Sequence, residues 1–79
     1  SDAMRRRILT SLMEEGVTII DPSSTYVDAG VKVEMDTIIY PGTILEGECI
    51  VGEDCIIGPN ARIINSIIEN GVEIQSSVV

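Results

Sequence analysis

From Val27 onward the apolar residues recur every six positions, a period that fits neither an amphipathic helix nor a two-faced strand. The units read VDAGVK, VEMDTI, IYPGTI, LEGECI, VGEDCI and IGPNAR, then a five-residue IINSI, then IENGVE and IQSSVV. Their first positions are Val27, Val33, Ile39, Leu45, Val51, Ile57, Ile63, Ile68 and Ile74, each a branched aliphatic. The fifth positions, or the equivalent in the short unit, are Val31, Thr37, Thr43, Cys49, Cys55, Ala61, Ser66, Val72 and Val78, all small or medium. A period held this long decides the architecture before any single residue does.

Residues two apart in a strand share a face, so the small residue and the large one after it both point inward. Each unit is then a short strand plus a tight turn. The turn slots hold Gly30, Asp36, Pro41-Gly42, Asp54, Pro59-Asn60 and Asn70-Gly71, residue types that turns favour. Three strands per coil close a triangular prism, a parallel β-helix of about three coils stacked ~4.8 Å apart. Asn70-Gly71 alone would suit a hairpin, but a meander of hairpins does not keep one phase across all the units. The Pro and Gly spacing excludes a helix.

The short unit is explained by burial. Strict sixes would place Glu69 in the core, where an unpaired carboxylate costs several kcal/mol. A turn shortened at Asn65 instead returns Ile68 and Ile74 to it.

Ile38, Ile44, Ile50, Ile56 and Ile67 fall on outward positions, with Tyr40 and Ile64 on the other side of the inward residue. Counting coils of eighteen residues predicts three apolar strips: Ile38, Tyr40 and Ile56; Ile44 and Ile64; Ile50 and Ile67. Exposed strips mark partner surfaces, and the expected partner is two further copies of the chain, a homotrimer. The N-terminal helix is a second candidate cover.

That helix is expected from Met4 to Glu15. Met4, Ile8, Leu9, Leu12 and Met13 make one apolar stripe, and Gly16 can supply a left-handed C-terminal cap. Arg5, Arg6 and Arg7 lie at the positive end of its dipole and Glu14 and Glu15 at the negative end, an unfavourable order that suggests a natural helix starting earlier. Three successive Arg point in three directions, so a solvated helix is preferred over a phosphate site. The segment from Val17 to Tyr26 reads as an extended connector stopped by Asp21-Pro22. The expected division is 1–3 tag remnant, 4–26 linker helix and connector, and 27–79 β-helix, cut off inside a strand at Val78-Val79.

Phe and Trp are absent and Tyr appears twice, so a core must come from branched aliphatics, which favour strands. Net charge is −8, arguing against nucleic acid or an anionic membrane as partner. No apolar run nears the ~20 residues of a membrane span and no signal peptide is legible, so a cytoplasmic location is expected. With no His, and Cys49 and Cys55 in no metal-like spacing, a zinc site is not expected.

"MRRRILTSLMEEGVTIIDPSSTYVD", "DTIIYPGTILEGECIVGEDCIIGPNARI" and "IIENGVEIQSSVV" resemble the bacterial bifunctional N-acetylglucosamine-1-phosphate uridyltransferase/glucosamine-1-phosphate N-acetyltransferase family. The resemblance implies a junction, a linker helix leaving a nucleotidyltransferase domain and entering a left-handed β-helix trimer. General topology alone would favour right-handed crossovers. It also implies a parent enzyme of UDP-N-acetylglucosamine and cell-wall synthesis, with glucosamine 1-phosphate, acetyl-CoA and UTP as substrates and Mg²⁺ as cofactor. The family's nucleotide loop and carboxylates precede Met4, and its catalytic His follows Val79. No catalytic, cofactor or metal residue is therefore expected here, and the chain reads as an inactive linker and trimerisation scaffold.

Other readings of single residues are weaker. Glu46, Glu48, Glu53 and Asp54 are acid/base or cation candidates, but turns and outward slots favour a solvated surface. Cys49 and Cys55 are candidate nucleophiles or disulfide partners, but they occupy the inward slot, as do Thr37 and Thr43. The alternative function is a stand-alone hexapeptide-repeat interaction module, or part of another hexapeptide acyl- or nucleotidyltransferase.

Overall fold

A computed structural model of the chain describes residues 2–75, with the side chains of residues 2–5 excepted. Val78 and Val79, and with them the expected strand at the end of the sequence, lie outside the described residues.

Helix α1 runs Asp2–Glu14, so Asp2 and Ala3, expected to be tag residues outside the fold, continue it. Its end is a Schellman cap: Gly16 has φ +98, its N–H donates to Met13 O, and Val17 N–H donates to Leu12 O. Leu12 and Val17, the pair this motif brings together, are both buried. Leu9 is buried with them, Ile8 packs at the margin and Met13 is exposed, so the predicted stripe is narrower than its spacing suggested. Arg6 and Arg7 are exposed.

Among the described residues ten strands follow: β1 (Thr18–Ile19), β2 (Tyr26–Val27), β3 (Lys32–Val33), β4 (Ile38–Ile39), β5 (Ile44–Glu46), β6 (Ile50–Val51), β7 (Ile56–Ile57), β8 (Arg62–Ile64), β9 (Ile67–Ile68) and β10 (Glu73–Ile74). They form three parallel sheets, β1-β4-β7-β10, β2-β5-β8 and β3-β6-β9, the three walls of a prism. The chain conforms to a left-handed parallel β-helix of about three turns.

The solenoid begins earlier than Val27. Thr18 and Ile19 pair with Ile38 and Ile39, so the connector supplies the first strand. The six-residue phase misses this because the first corner is longer. Asp21 caps a 3-10 turn, Pro22–Ser24, its carboxylate accepting from Ser23 N–H at 3.2 Å, Ser23 Oγ at 2.7 Å and Ser24 Oγ at 3.0 Å.

Inside, aliphatics stack in rungs: Ile19, Ile39, Ile57 and Ile74 on one wall, Val27, Leu45 and Ile63 on the second, Val33, Val51 and Ile68 on the third. Ile39, Leu45, Ile57 and Ile63 are wholly buried, and α1 covers the N-terminal end through Leu9 and Leu12. The small slot behaves as expected at Thr37, Thr43, Cys49, Cys55 and Ala61, all buried. Ser66 departs from it: half-buried in the shortened unit, it donates Oγ–H to Ile64 O at 2.8 Å. Asn65 takes φ +45 at that turn, Ile67 pairs with Ile50, and Glu69 stays exposed.

Candidate interaction surface

The outward residues form columns set by strand register. On the first wall Thr18, Ile38, Ile56 and Glu73 are aligned, all flanking the same inward rung. On the third, Lys32, Ile50 and Ile67 are aligned, as the eighteen-residue count with one residue removed requires. The second wall corrects the expected strip. Ile44 pairs with Tyr26 and Arg62, whereas Ile64 pairs with Glu46. Ile44 and Ile64 lie in two neighbouring columns, because they are twenty residues apart in a wall whose repeat is eighteen.

Exposure separates the walls. On the interior strands Ile38, Ile44 and Ile56 are half-buried and Ile50 is 46% exposed, while on the edge strands Tyr26 and Ile64 of the second wall and Ile67 of the third are exposed, Ile67 most of all at 74%. Ile50, open although strands flank it on both sides and in register with Ile67, makes the third wall the strongest candidate interface.

Between α1 and the edge strand β3 runs an open groove of about 370 Å³, with Ile8, Leu12, Val31 and Val33 on its floor and Glu15 and Lys32 on its rim.

The candidate chemical groups do not converge. Glu46 pairs with Arg62 across the second wall, Oε1 to Nη2 at 3.0 Å and Nε to Oε1 at 3.1 Å, an exposed pair of the kind that contributes about 0–1 kcal/mol. Glu48, Glu53 and Asp54 are exposed at corners, Asp54 with φ +57. Cys49 and Cys55 are free thiols, wholly buried; their S–H groups reach Glu46 O and Glu69 O, each at 3.1 Å. Among the described residues no three His, Cys, Asp or Glu gather where they could hold a metal ion.

Sequence reasoning missed the polar pegs that join one coil to the next. Asp28 Oδ2 accepts from Gly47 N–H at 2.8 Å, Asn65 Oδ1 from Glu48 N–H at 2.8 Å, Asn70 Oδ1 from Glu53 N–H at 2.9 Å, and Ser24 Oγ from Gly42 N–H at 3.1 Å. The bonds from Gly47 and Tyr26 hold the Asp28 carboxyl below its ordinary pKa. Those from Ser23 and Ser24 do the same for Asp21. The available signal was Asp, Asn or Ser recurring near corners, which turn chemistry alone also explains.

Coils of six-residue units with branched aliphatics pointing inward define a hexapeptide-repeat β-helix protein. Residues 30–65 match the family described as bacterial transferase hexapeptide (six repeats). Over nearly its whole length the chain is similar to bifunctional protein GlmU: 59% identical over 78 residues to that of Alkaliphilus metalliredigens, covering 99% of this chain and 17% of that protein. It is 60% identical over 76 residues to that of Caldanaerobacter subterraneus, covering 96% of this chain and 17% of that protein. For Clostridium novyi the identity is 51% over 78 residues, again 99% of this chain and 17% of the relative. The chain therefore spans about a sixth of the length of the curated relatives it matches. Among the described residues no helix is long and apolar enough to cross a membrane.

Proposed function

We propose that this chain is the linker helix and opening coils of a bifunctional transferase, serving as linker and trimerisation scaffold and carrying neither active site. The parent enzyme, on this reading, transfers acetyl from acetyl-CoA to glucosamine 1-phosphate and uridyl from UTP, with Mg²⁺, in the cytoplasm. The supporting observation is identity of 51–60% to bifunctional protein GlmU across nearly all of the chain. The exposed column of Ile50 and Ile67 favours the third wall as the face where copies meet.

Two measurements test the reading. Sedimentation equilibrium of the purified chain is expected to give three times the chain mass, and a folded monomer would overturn the scaffold role. Acetylation of glucosamine 1-phosphate by the same preparation is expected to be nil, and measurable turnover would refute the absence of an active site.

A further inference from the structure

Asn70-Gly71 is the chain's single Asn-Gly pair. Asparagine before glycine is the dipeptide most prone to deamidation, because glycine has no side chain to hinder ring closure. The Gly71 nitrogen loses its proton to solvent base and bonds to Asn70 Cγ. The bond from Cγ to the side-chain nitrogen breaks and ammonia leaves. Water then opens the succinimide at either carbonyl, giving aspartate or isoaspartate.

Both residues are exposed, yet both reacting groups are held by the backbone of one residue in the coil beneath. Gly71 N–H donates to Glu53 O at 2.9 Å, and Asn70 Oδ1 accepts from Glu53 N–H at 2.9 Å. Gly52 leaves the space that this peg needs, since a Cβ there would run into Asn70 Oδ1 and lie 2.8 Å from Asn70 N. We propose that Asn70-Gly71 is a deamidation site gated by the inter-coil clamp from Glu53, reactive only when the coil that carries it lifts from the one beneath.

The product matters because isoaspartate routes the main chain through Cβ and Cγ, lengthening it by one atom and carrying Gly71 N–H away from Glu53 O. Ile56 N–H to Val72 O and Gly58 N–H to Ile74 O follow directly in the chain. Those two bonds hold β10 on β7, and the inserted atom disrupts their register. Aspartate keeps the backbone and the acceptor oxygen, so it leaves them in place.

The test compares deamidation rates, by intact mass and isoaspartate mapping, in native buffer and in urea. Native chain is expected to react about tenfold or more slowly than urea-unfolded chain. Glu53→Pro removes the N–H that holds Asn70, at a place that Pro41 and Pro59 occupy in other corners, beside Gly42 and Asn60 of positive φ. It is expected to raise the native rate several-fold and leave the urea rate unchanged. Gly52→Ala displaces the Asn70 side chain and is expected to do the same. A variant that has lost its fold shows equal native and urea rates, and the other variant then decides. Equal rates for the parent chain, or a native rate unmoved by the folded variants, overturns the proposal. Isolated isoaspartate product is expected to exchange the Ile56 and Gly58 amide hydrogens faster than the aspartate product. Equal exchange overturns the effect on β10.

Discussion

The Asn65 side chain occupies the space in which a Cβ on Gly47 would sit, and from there its Oδ1 accepts from Glu48 N–H at 2.8 Å. Gly47 has φ +72 and Asn65 φ +45, so both corners adopt backbone that most residues avoid. A small residue in one coil and a hydrogen-bonding one in the next thus form a matched pair. Gly47→Ala is expected to cost about 1–2 kcal/mol from backbone alone, with the collision against Asn65 adding to it. Asn65→Gly removes the collision and relaxes its own backbone, losing the peg bond at about 1 kcal/mol. The double variant is expected to be less destabilised than the sum of the two singles, in a urea-melt double-mutant cycle. Strict additivity would show that the two corners do not act as a pair.

Asp28 ties the second wall to the corner above it through Gly47 N–H, and that bond favours its charged form. Its folded pKa lies below the ordinary value of 3.8, as does that of Asp21. A depressed carboxyl contributes stability that is fully present above the unfolded pKa and is lost as pH falls through the folded one. The melting temperature of the chain is expected to decline as pH drops from about 5 to about 2. Asp28→Asn keeps an acceptor oxygen for Gly47 but no longer titrates, so its decline is expected to be shallower. An identical slope for Asp28→Asn would remove Asp28 from the account.

How much of this was legible in the sequence follows from which contacts keep the six-residue phase. Ile39, Leu45, Cys49, Cys55 and Ile57 do, and their burial could be read directly. Thr18 and Ile19 do not, because the corner at Asp21 lengthens their coil to twenty residues, from Ile19 to Ile39. The outward columns were legible where eighteen-residue stacking was applied strictly, as for Ile38 and Ile56, and misread for Ile44 and Ile64 where it was not. The pegs are hidden for another reason. Their partners lie seventeen to nineteen residues apart and involve a backbone N–H, which every residue but proline carries. Only the side-chain half leaves a trace in the sequence.

Thr37 shows what a hydroxyl contributes in the small slot. Its hydroxyl donates to Gly52 O at 2.7 Å and accepts from Cys55 N–H at 3.3 Å, while wholly buried. Cys49 makes the weaker version, its S–H reaching Glu46 O at 3.1 Å. Thr37→Val keeps the volume but strands both backbone partners, at a cost of about 1–3 kcal/mol. Thr37→Cys is expected to cost less, since a thiol in the same slot is already accommodated at Cys49 and Cys55. The midpoints of urea unfolding, with an unchanged m value, check the order. Valine equal to or better than cysteine would mean that volume alone governs the slot.

The third wall offers the sharpest test of assembly. Ile67 is 74% exposed and stands over Ile50, whereas Ile56 on the first wall is half-buried between Ile38 and Glu73. A carboxylate at the centre of an apolar contact must be desolvated against its like-charged copies, a cost of several kcal/mol. Ile67→Glu is therefore expected to convert the proposed trimer to a folded monomer, read by sedimentation velocity with circular dichroism as the check on folding. Ile56→Glu, placed in solvent on this reading, is expected to leave the trimer intact. Dissociation by Ile56→Glu with the trimer retained in Ile67→Glu would move the interface from the third wall to the first.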